Sequence, residues 1–154
     1  MTTTSDDTAA TTATRQSPAA LGPRLLAGAA GGLAGGLVFG LMMQAMGMIP
    51  MVAGLVGSDA VAVGWLVHLA ISVALGLGFA AVLGGRLRSW GAAVGLGAAY
   101  GLVWWVLGAL IAMPARMGMP LLNVDDMALQ SLMGHLVFGV ILGAVAFPLA
   151  RSRA

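Results

Sequence analysis

Two nearly repeated stretches decide the fold prediction: His68-Leu-Ala-Ile-Ser-Val-Ala-Leu-Gly76 and His135-Leu-Val-Phe-Gly-Val-Ile-Leu-Gly143. Each stretch lies inside a long apolar run that has no Asp, Glu, Lys or Arg at the depth of its histidine. A helix of about 20 apolar residues can cross a bilayer, because it satisfies its own backbone hydrogen bonds where lipid cannot. Both stretches therefore predict membrane-spanning helices, each carrying one of the two histidines of the chain.

The composition excludes several classes of protein. The chain is 60% hydrophobic and 8% charged, which is outside the range of soluble globular domains. The absence of cysteine excludes disulfides and thiolate metal sites. The basic residues are seven arginines in a nearly uncharged chain, without a basic patch mixed with aromatic residues. We therefore expect no nucleic-acid partner.

The apolar runs predict an all-α integral membrane protein with four transmembrane helices. Residues 1–22, rich in Thr and Ala, are predicted to be a disordered cytoplasmic tail. Residues 23–150 are the predicted four-helix transmembrane domain, and 151–154 a second cytoplasmic tail. The predicted helices cover about 25–49, 62–84, 90–112 and 128–149.

The arginines predict the orientation of the chain. Six of the seven fall before the first span, between the second and third spans, or after the fourth span: Arg15, Arg24, Arg86, Arg88, Arg151 and Arg153. Because positive charge favours the cytoplasmic side, we expect a multi-pass protein of the inner or cytoplasmic membrane with both termini cytoplasmic. Asp59 and Asp126 precede apolar runs, where a carboxylate can cap a helix.

The two histidine stretches also predict an internal duplication. At an offset of 67 residues, five of the thirteen positions in 68–80 and 135–147 are identical. The hypothesis is two tandem two-helix repeats in parallel orientation, related by a pseudo-twofold axis along the membrane normal. This symmetry would bring His68 and His135 to the same depth.

Small residues recur at four-residue spacing and predict where the helices pack. Lipid provides no hydrophobic force between helices, so small residues that allow close backbone approach usually form the interfaces. The predicted packing positions are Gly32, Gly36, Gly40, Gly76, Gly139 and Gly143. The same stripes put both histidines on the inward faces of their helices.

The histidines and nearby methionines form a candidate metal site. The candidate ligands are His68, His135, Met42, Met46, Met113 and Met117. Thioethers with imidazoles suit Cu(I), and two imidazoles at one depth suit axial ligation of a haem. The structural alternative needs no cofactor: the methionines fill gaps in the packing, and a buried neutral histidine donates to a carbonyl. Haem or copper is the cofactor that such a site would hold.

The favoured function is that of a packed helical accessory or scaffold protein without chemistry of its own. Its partners would be the lipid bilayer and either a second copy or another membrane protein. A small transporter or proton pathway that uses the paired histidines is one alternative, and a haem- or copper-binding membrane protein is another. We do not expect an enzyme, because no nucleophile, base and orienting carboxylate occur together within the spans.

Part of the chain resembles a known family. The run from His68 to Ser72, the segment Met113-Pro114 with Gly118-Met119-Pro120, and Gly134-His135-Leu136-Val137 resemble the YagU-like small inner-membrane proteins of bacteria. The similarity covers about 65–140. It implies an inner-membrane location and a multi-helix fold, and it implies no reaction.

Overall fold

The computed structural model describes residues 18–152. Residues 1–17 of the tail predicted for 1–22, and residues 153–154 of the tail predicted for 151–154, lie outside this range. The helices are α1 (Pro18–Ala45), α2 (Ile49–Gly54), α3 (Val61–Leu83), α4 (Trp90–Trp104), α5 (Met113–Met117) and α6 (Asp126–Arg151). A π-helical segment, Trp105–Ala112, joins α4 to α5 without a break. A single 3-10 turn, Gly84–Arg86, follows α3.

Four of the helical stretches within residues 18–152 are long and apolar enough to cross a membrane. They are Leu21–Ala45, Val61–Arg86, Trp90–Met117 and Asp126–Arg151. Each has 25 to 28 residues, which exceeds the roughly 20 that the hydrocarbon layer requires. The predictions of an all-helical fold and of four helices of spanning length are therefore confirmed.

The ends of the helices differ from the predicted ones. Helix α1 begins at Pro18, inside the segment predicted to be a tail, and proline is tolerated in a first helical turn because its missing N–H would have no partner there. The first span ends at Ala45 rather than 49, since Gly47 adopts a left-handed conformation with φ of 69°. The third span continues past residue 112 to Met117.

The predicted caps also need correction. Asp125, not Asp126, is the N-cap of α6, where its carboxylate accepts a hydrogen bond of 2.9 Å from the backbone N–H of Ala128. The N-cap of α3 is Ala60, and no side chain caps that helix. Asp126 instead lies in the first turn of α6, where a negative charge interacts favourably with the helix dipole.

Replacing Asp125 with alanine is expected to destabilise the protein by about 1 kcal/mol, because the first turn of α6 loses a bonded carboxylate. The matched control is Asp126→Ala, which removes an equal charge one residue away but no cap bond. Unfolding in mixed detergent measures both. Equal losses for the two variants would mean that charge, not capping, is what stabilises this helix end.

The four spans form an incomplete ring. Helix α1 packs against α3 on one side and α6 on the other, and α4 packs against the far side of α6. The ring order is therefore α3, α1, α6, α4, and α3 and α4 barely touch. Tyr100 bridges this gap: its hydroxyl donates a 2.9 Å hydrogen bond to the Leu75 carbonyl, and its ring contacts Phe79 at a centroid distance of 5.3 Å. Beside this bridge, α3 and the third span are separated by a cleft.

Close backbone contact between glycines holds the adjacent helices together. A Cβ atom on Gly28 or Gly32 of α1 would overlap the backbone of α3, at Gly76 and Ser72 respectively. A Cβ atom on Gly97 would likewise overlap the Gly139 carbonyl of α6. The other predicted packing positions also lie against neighbouring helices or their side chains: Gly36, Gly40, Gly76, Gly139 and Gly143. The glycine stripes therefore lie between helices of the same chain.

Candidate binding cleft

The cleft between α3 and α4 has a volume of about 280 Å³ and both histidines line it. Helix α3 contributes His68, Ile71 and Leu75, and α6 contributes His135. The opposite wall consists of Trp104, Gly108, Ala109, Ala112 and Met113, and the remaining lining residues are Met43, Val52 and Leu55. No Asp, Glu, Lys or Arg lines the cleft as described by residues 18–152, so its polar groups are few and neutral.

His68 is held in one tautomer by α1. Its side chain is buried, and its Nε2 lies 2.9 Å from the Gly36 carbonyl oxygen. A carbonyl can only accept, so we assign the proton to Nε2, which donates to Gly36. The lone pair of the neutral ring is then on Nδ1. The Ser72 hydroxyl donates a 2.8 Å hydrogen bond to the His68 carbonyl, one turn earlier on the same helix.

His135 is held in the other tautomer by its own helix. Its Nδ1 lies 2.8 Å from the Ser131 carbonyl and 3.3 Å from the Ser131 hydroxyl. The shorter contact assigns the proton to Nδ1, which leaves the lone pair on Nε2. Neither lone-pair nitrogen, in His68 or in His135, has a hydrogen-bond partner within residues 18–152. Each imidazole thus has one nitrogen engaged and one nitrogen free.

Phe39 of α1 links the two imidazoles. Its ring meets His68 edge-on at a centroid distance of 5.4 Å and His135 at 4.8 Å. The ring is buried and packs so tightly on Gly134 of α6 that a Cβ there would overlap it. One aromatic side chain therefore sets the positions of both histidines relative to each other.

Trp104 and Trp105 are anchored differently. The Trp104 ring lines the cleft, and its indole packs edge-on against Tyr100 at a centroid distance of 6.1 Å. The neighbouring Trp105 donates its indole N–H to the Ala128 carbonyl at 2.9 Å. Both indoles are therefore held by contacts within the protein.

The structure brings some of the sequence-predicted metal ligands together and separates others. His68, His135 and Met113 line the cleft, whereas Met42, Met46 and Met117 do not. Met43, which is not among the sequence-predicted ligands, lines the cleft instead. Among residues 18–152, no three His, Cys, Asp or Glu side chains form a group suited to a metal ion. Any metal held in the cleft would need thioethers beside the two imidazoles.

The π-helical segment forms the wall opposite His68. Its Gly108 and Ala109 line the cleft, and wide π turns of this kind are frequent at functional sites. Just beyond it, Pro114 has no N–H to donate to the Leu110 carbonyl. The backbone N–H of Leu122 donates to that carbonyl instead, at 2.9 Å. The loop after α5 is thereby tied back onto the third span.

No family model, curated protein or solved structure matches this chain. The resemblance to YagU-like proteins therefore stays a prediction.

Proposed function

We propose that this chain is a multi-pass membrane protein that binds Cu(I) within the cleft between α3 and α4. The ligands would be Nδ1 of His68 and Nε2 of His135, with the thioethers of Met43 and Met113. One observation carries the proposal: both imidazoles line the same cleft, and each has a free nitrogen while its other nitrogen is bonded to a backbone carbonyl.

This hydrogen bonding is the arrangement that metal-bound histidines need. A ligating imidazole commonly donates its second N–H to a carbonyl or carboxylate, which fixes the tautomer and orients the ring. His68 donates in this way to Gly36, and His135 to Ser131. The bonds would hold both rings before a metal arrives, so little side-chain entropy remains to be lost on binding.

The other lining groups favour a soft monovalent ion. Thioether sulfur is a soft neutral ligand that suits Cu(I), whereas Mg²⁺ and Ca²⁺ require several oxygen ligands. No carboxylate lines the cleft within the described residues, so a hard dication would have no charged ligand there. A single positive charge is also less costly to hold in an apolar site than two.

A haem is less well supported than an ion. The cleft volume of about 280 Å³ lies just below the range for small-molecule pockets, which runs from roughly 300 to 1,000 Å³. The Phe39 ring also packs against both imidazoles, in the region that a macrocycle between them would need. An ion requires no such space.

The accessory and proton-pathway hypotheses lack an observation of this kind. An accessory role was expected to use glycine faces for docking, but Gly32, Gly76 and Gly139 are packed against helices of the same chain. A proton pathway needs groups that both accept and release protons. The N–H groups of His68 and His135 each point to a backbone carbonyl, which cannot pass a proton on.

The proposed orientation places both termini in the cytoplasm of the cell that makes the protein. Arg86 ends the second span, Arg88 lies in the connection to the third, and Arg151 ends the fourth span. The positive-inside bias then assigns these ends to the cytoplasmic side of the inner membrane. Helices α2 and α5 would lie at the outer end.

The test is a Cu(I) titration of the purified protein in detergent under reducing conditions, in competition with bicinchoninate. We expect His68→Ala and His135→Ala each to weaken binding at the cleft by about 100-fold or more. Each removes a direct ligand, and loss of a group that only hydrogen-bonds to a ligand already costs about 10- to 100-fold. His68→Gln keeps an N–H for Gly36 but offers an amide oxygen to the metal, so it should lose binding while retaining the fold.

Leu66→Ala is the control, since Leu66 is two residues from His68 on α3 but is 71% exposed and does not line the cleft. It should bind Cu(I) like the wild type. Equal affinity for the wild type and both histidine variants would exclude the proposed site.

A further inference from the structure

A second pocket lies at the end of the molecule formed by α2, α5 and the start of α6. It has a volume of about 80 Å³ and five methionines line it: Met48, Met51, Met113, Met119 and Met127. The whole chain has eleven methionines, so nearly half converge on this small space from four separate parts of the chain. We call this space the methionine vestibule.

The methionines of the vestibule differ in exposure. The side chains of Met119 and Met127 are 44% and 46% exposed, whereas Met48 is only 8% exposed. Met48 belongs to the hydrophobic core, and Met119 and Met127 are accessible from outside the protein. The vestibule therefore has both exposed and buried methionines in its lining.

The vestibule adjoins the histidine cleft. Met113 and Ala109 line both spaces. Ser131 lines the vestibule, and its carbonyl accepts the hydrogen bond that orients His135 in the cleft. A ligand that moved from Met119 to Met113 would therefore already be beside the cleft.

We infer that the methionine vestibule is an entry site that captures Cu(I) and transfers it through Met113 to the histidine cleft. This inference rests on the proposed function of the cleft. Transfer is ligand exchange without a change of oxidation state: one Cu–S bond breaks as the next Cu–S or Cu–N bond forms. The ion remains Cu(I), and no proton is released because the thioether sulfurs and the lone-pair nitrogens carry none.

The other polar groups of the vestibule do not compete for the ion. The carboxylate of Asp125 accepts hydrogen bonds from the Ala128 backbone at 2.9 Å and from the Asn123 amide at 3.1 Å. One oxygen thus caps α6, and the other accepts from Asn123. Its negative charge still raises the local concentration of cations at the entrance. Thioethers then select the soft ion among them.

The test compares Cu(I) stoichiometry and ligand type in four proteins. The vestibule variant is the triple substitution Met51→Leu, Met119→Leu and Met127→Leu, which conserves volume and leaves the cleft ligands intact. The cleft variant is the double substitution His68→Ala and His135→Ala. Met133→Leu is the matched control, because Met133 is an exposed methionine of α6 that lines neither space.

We expect two Cu(I) ions per chain for the wild type and the control, and one for each of the other variants. X-ray absorption should find a sulfur-only shell in the cleft variant and a mixed nitrogen and sulfur shell in the vestibule variant. In stopped-flow mixing, the vestibule variant should load its remaining site about tenfold more slowly.

The results distinguish failure of the entry site from failure of the proposed cleft. If the vestibule variant still binds two ions and loads at the wild-type rate, the entry site is wrong while the cleft stands. If the cleft variant keeps two ions, the proposed function is wrong. If only the cleft variant loses an ion, the methionines serve packing alone.

Discussion

Replacing Gly97 with alanine is expected to destabilise the protein by about 2–3 kcal/mol, the upper part of the range for overpacking a close-packed site. A Cβ atom at this position would overlap the Gly139 carbonyl, and it would also approach the Gly143 backbone nitrogen at 3.3 Å. Because these atoms are backbone, they cannot rotate away as a flexible side chain would. Helices α4 and α6 must separate.

Gly95→Ala is the control for this substitution. Gly95 lies two residues away on the same helix, and a Cβ there has no neighbour within 4 Å. Alanine favours helix over glycine by up to about 1 kcal/mol in water, so this variant should equal or exceed the wild type in stability. Unfolding in mixed detergent, followed by circular dichroism, compares the two. Equal effects of Gly95→Ala and Gly97→Ala would contradict the proposed contact between α4 and α6.

Replacing Phe39 with alanine is expected to reduce both stability and metal affinity. Phe39 is buried against Gly134 and both imidazoles, so its removal leaves a cavity at the centre of the bundle. Burial in a membrane protein gains little from the hydrophobic effect, and the loss is mainly of dispersion contacts. We therefore expect a loss of about 3 kcal/mol, the low end for such truncations.

The Cu(I) affinity of Phe39→Ala shows whether Phe39 positions the histidines or only packs in the core. Both histidines would keep their carbonyl bonds but lose the ring that sets their relative positions, and Cu(I) affinity should fall about tenfold, as for other changes around ligands. Leu41→Ala, on the exposed face of the same helix, should leave affinity unchanged. Unchanged Cu(I) binding in Phe39→Ala would mean that Phe39 stabilises the fold without organising the site.

Many features of the fold were predictable from the sequence because they depend on length and apolarity. Four runs without charges must satisfy their backbone hydrogen bonds internally, so four helices follow. The ends of the helices were less predictable because they depend on the backbone conformation and side chain of single residues. The left-handed Gly47 ends α1 early, and the cap of α6 is Asp125 rather than its neighbour Asp126.

The neighbours of each helix were not predictable, and neither was the cleft. In a helix that is apolar on every face, periodicity does not distinguish the face toward protein from the face toward lipid. Adjacent residues on a helix are rotated by about 100° from each other, so a choice between Met42 and Met43 cannot be made without a known facing helix. The structure puts Met43 in the cleft.

The sequence by itself determined the number and nature of the spans and identified the two histidines as the unusual groups within them. Only the tertiary structure decided that α3 and α4 stay apart, that one cleft contains both imidazoles, and that each imidazole keeps one nitrogen free. The physical reason is that each helix satisfies its backbone hydrogen bonds by itself, whatever its neighbours. The site, by contrast, depends on which glycines allow two helices to touch and which pair of helices is left without such a contact.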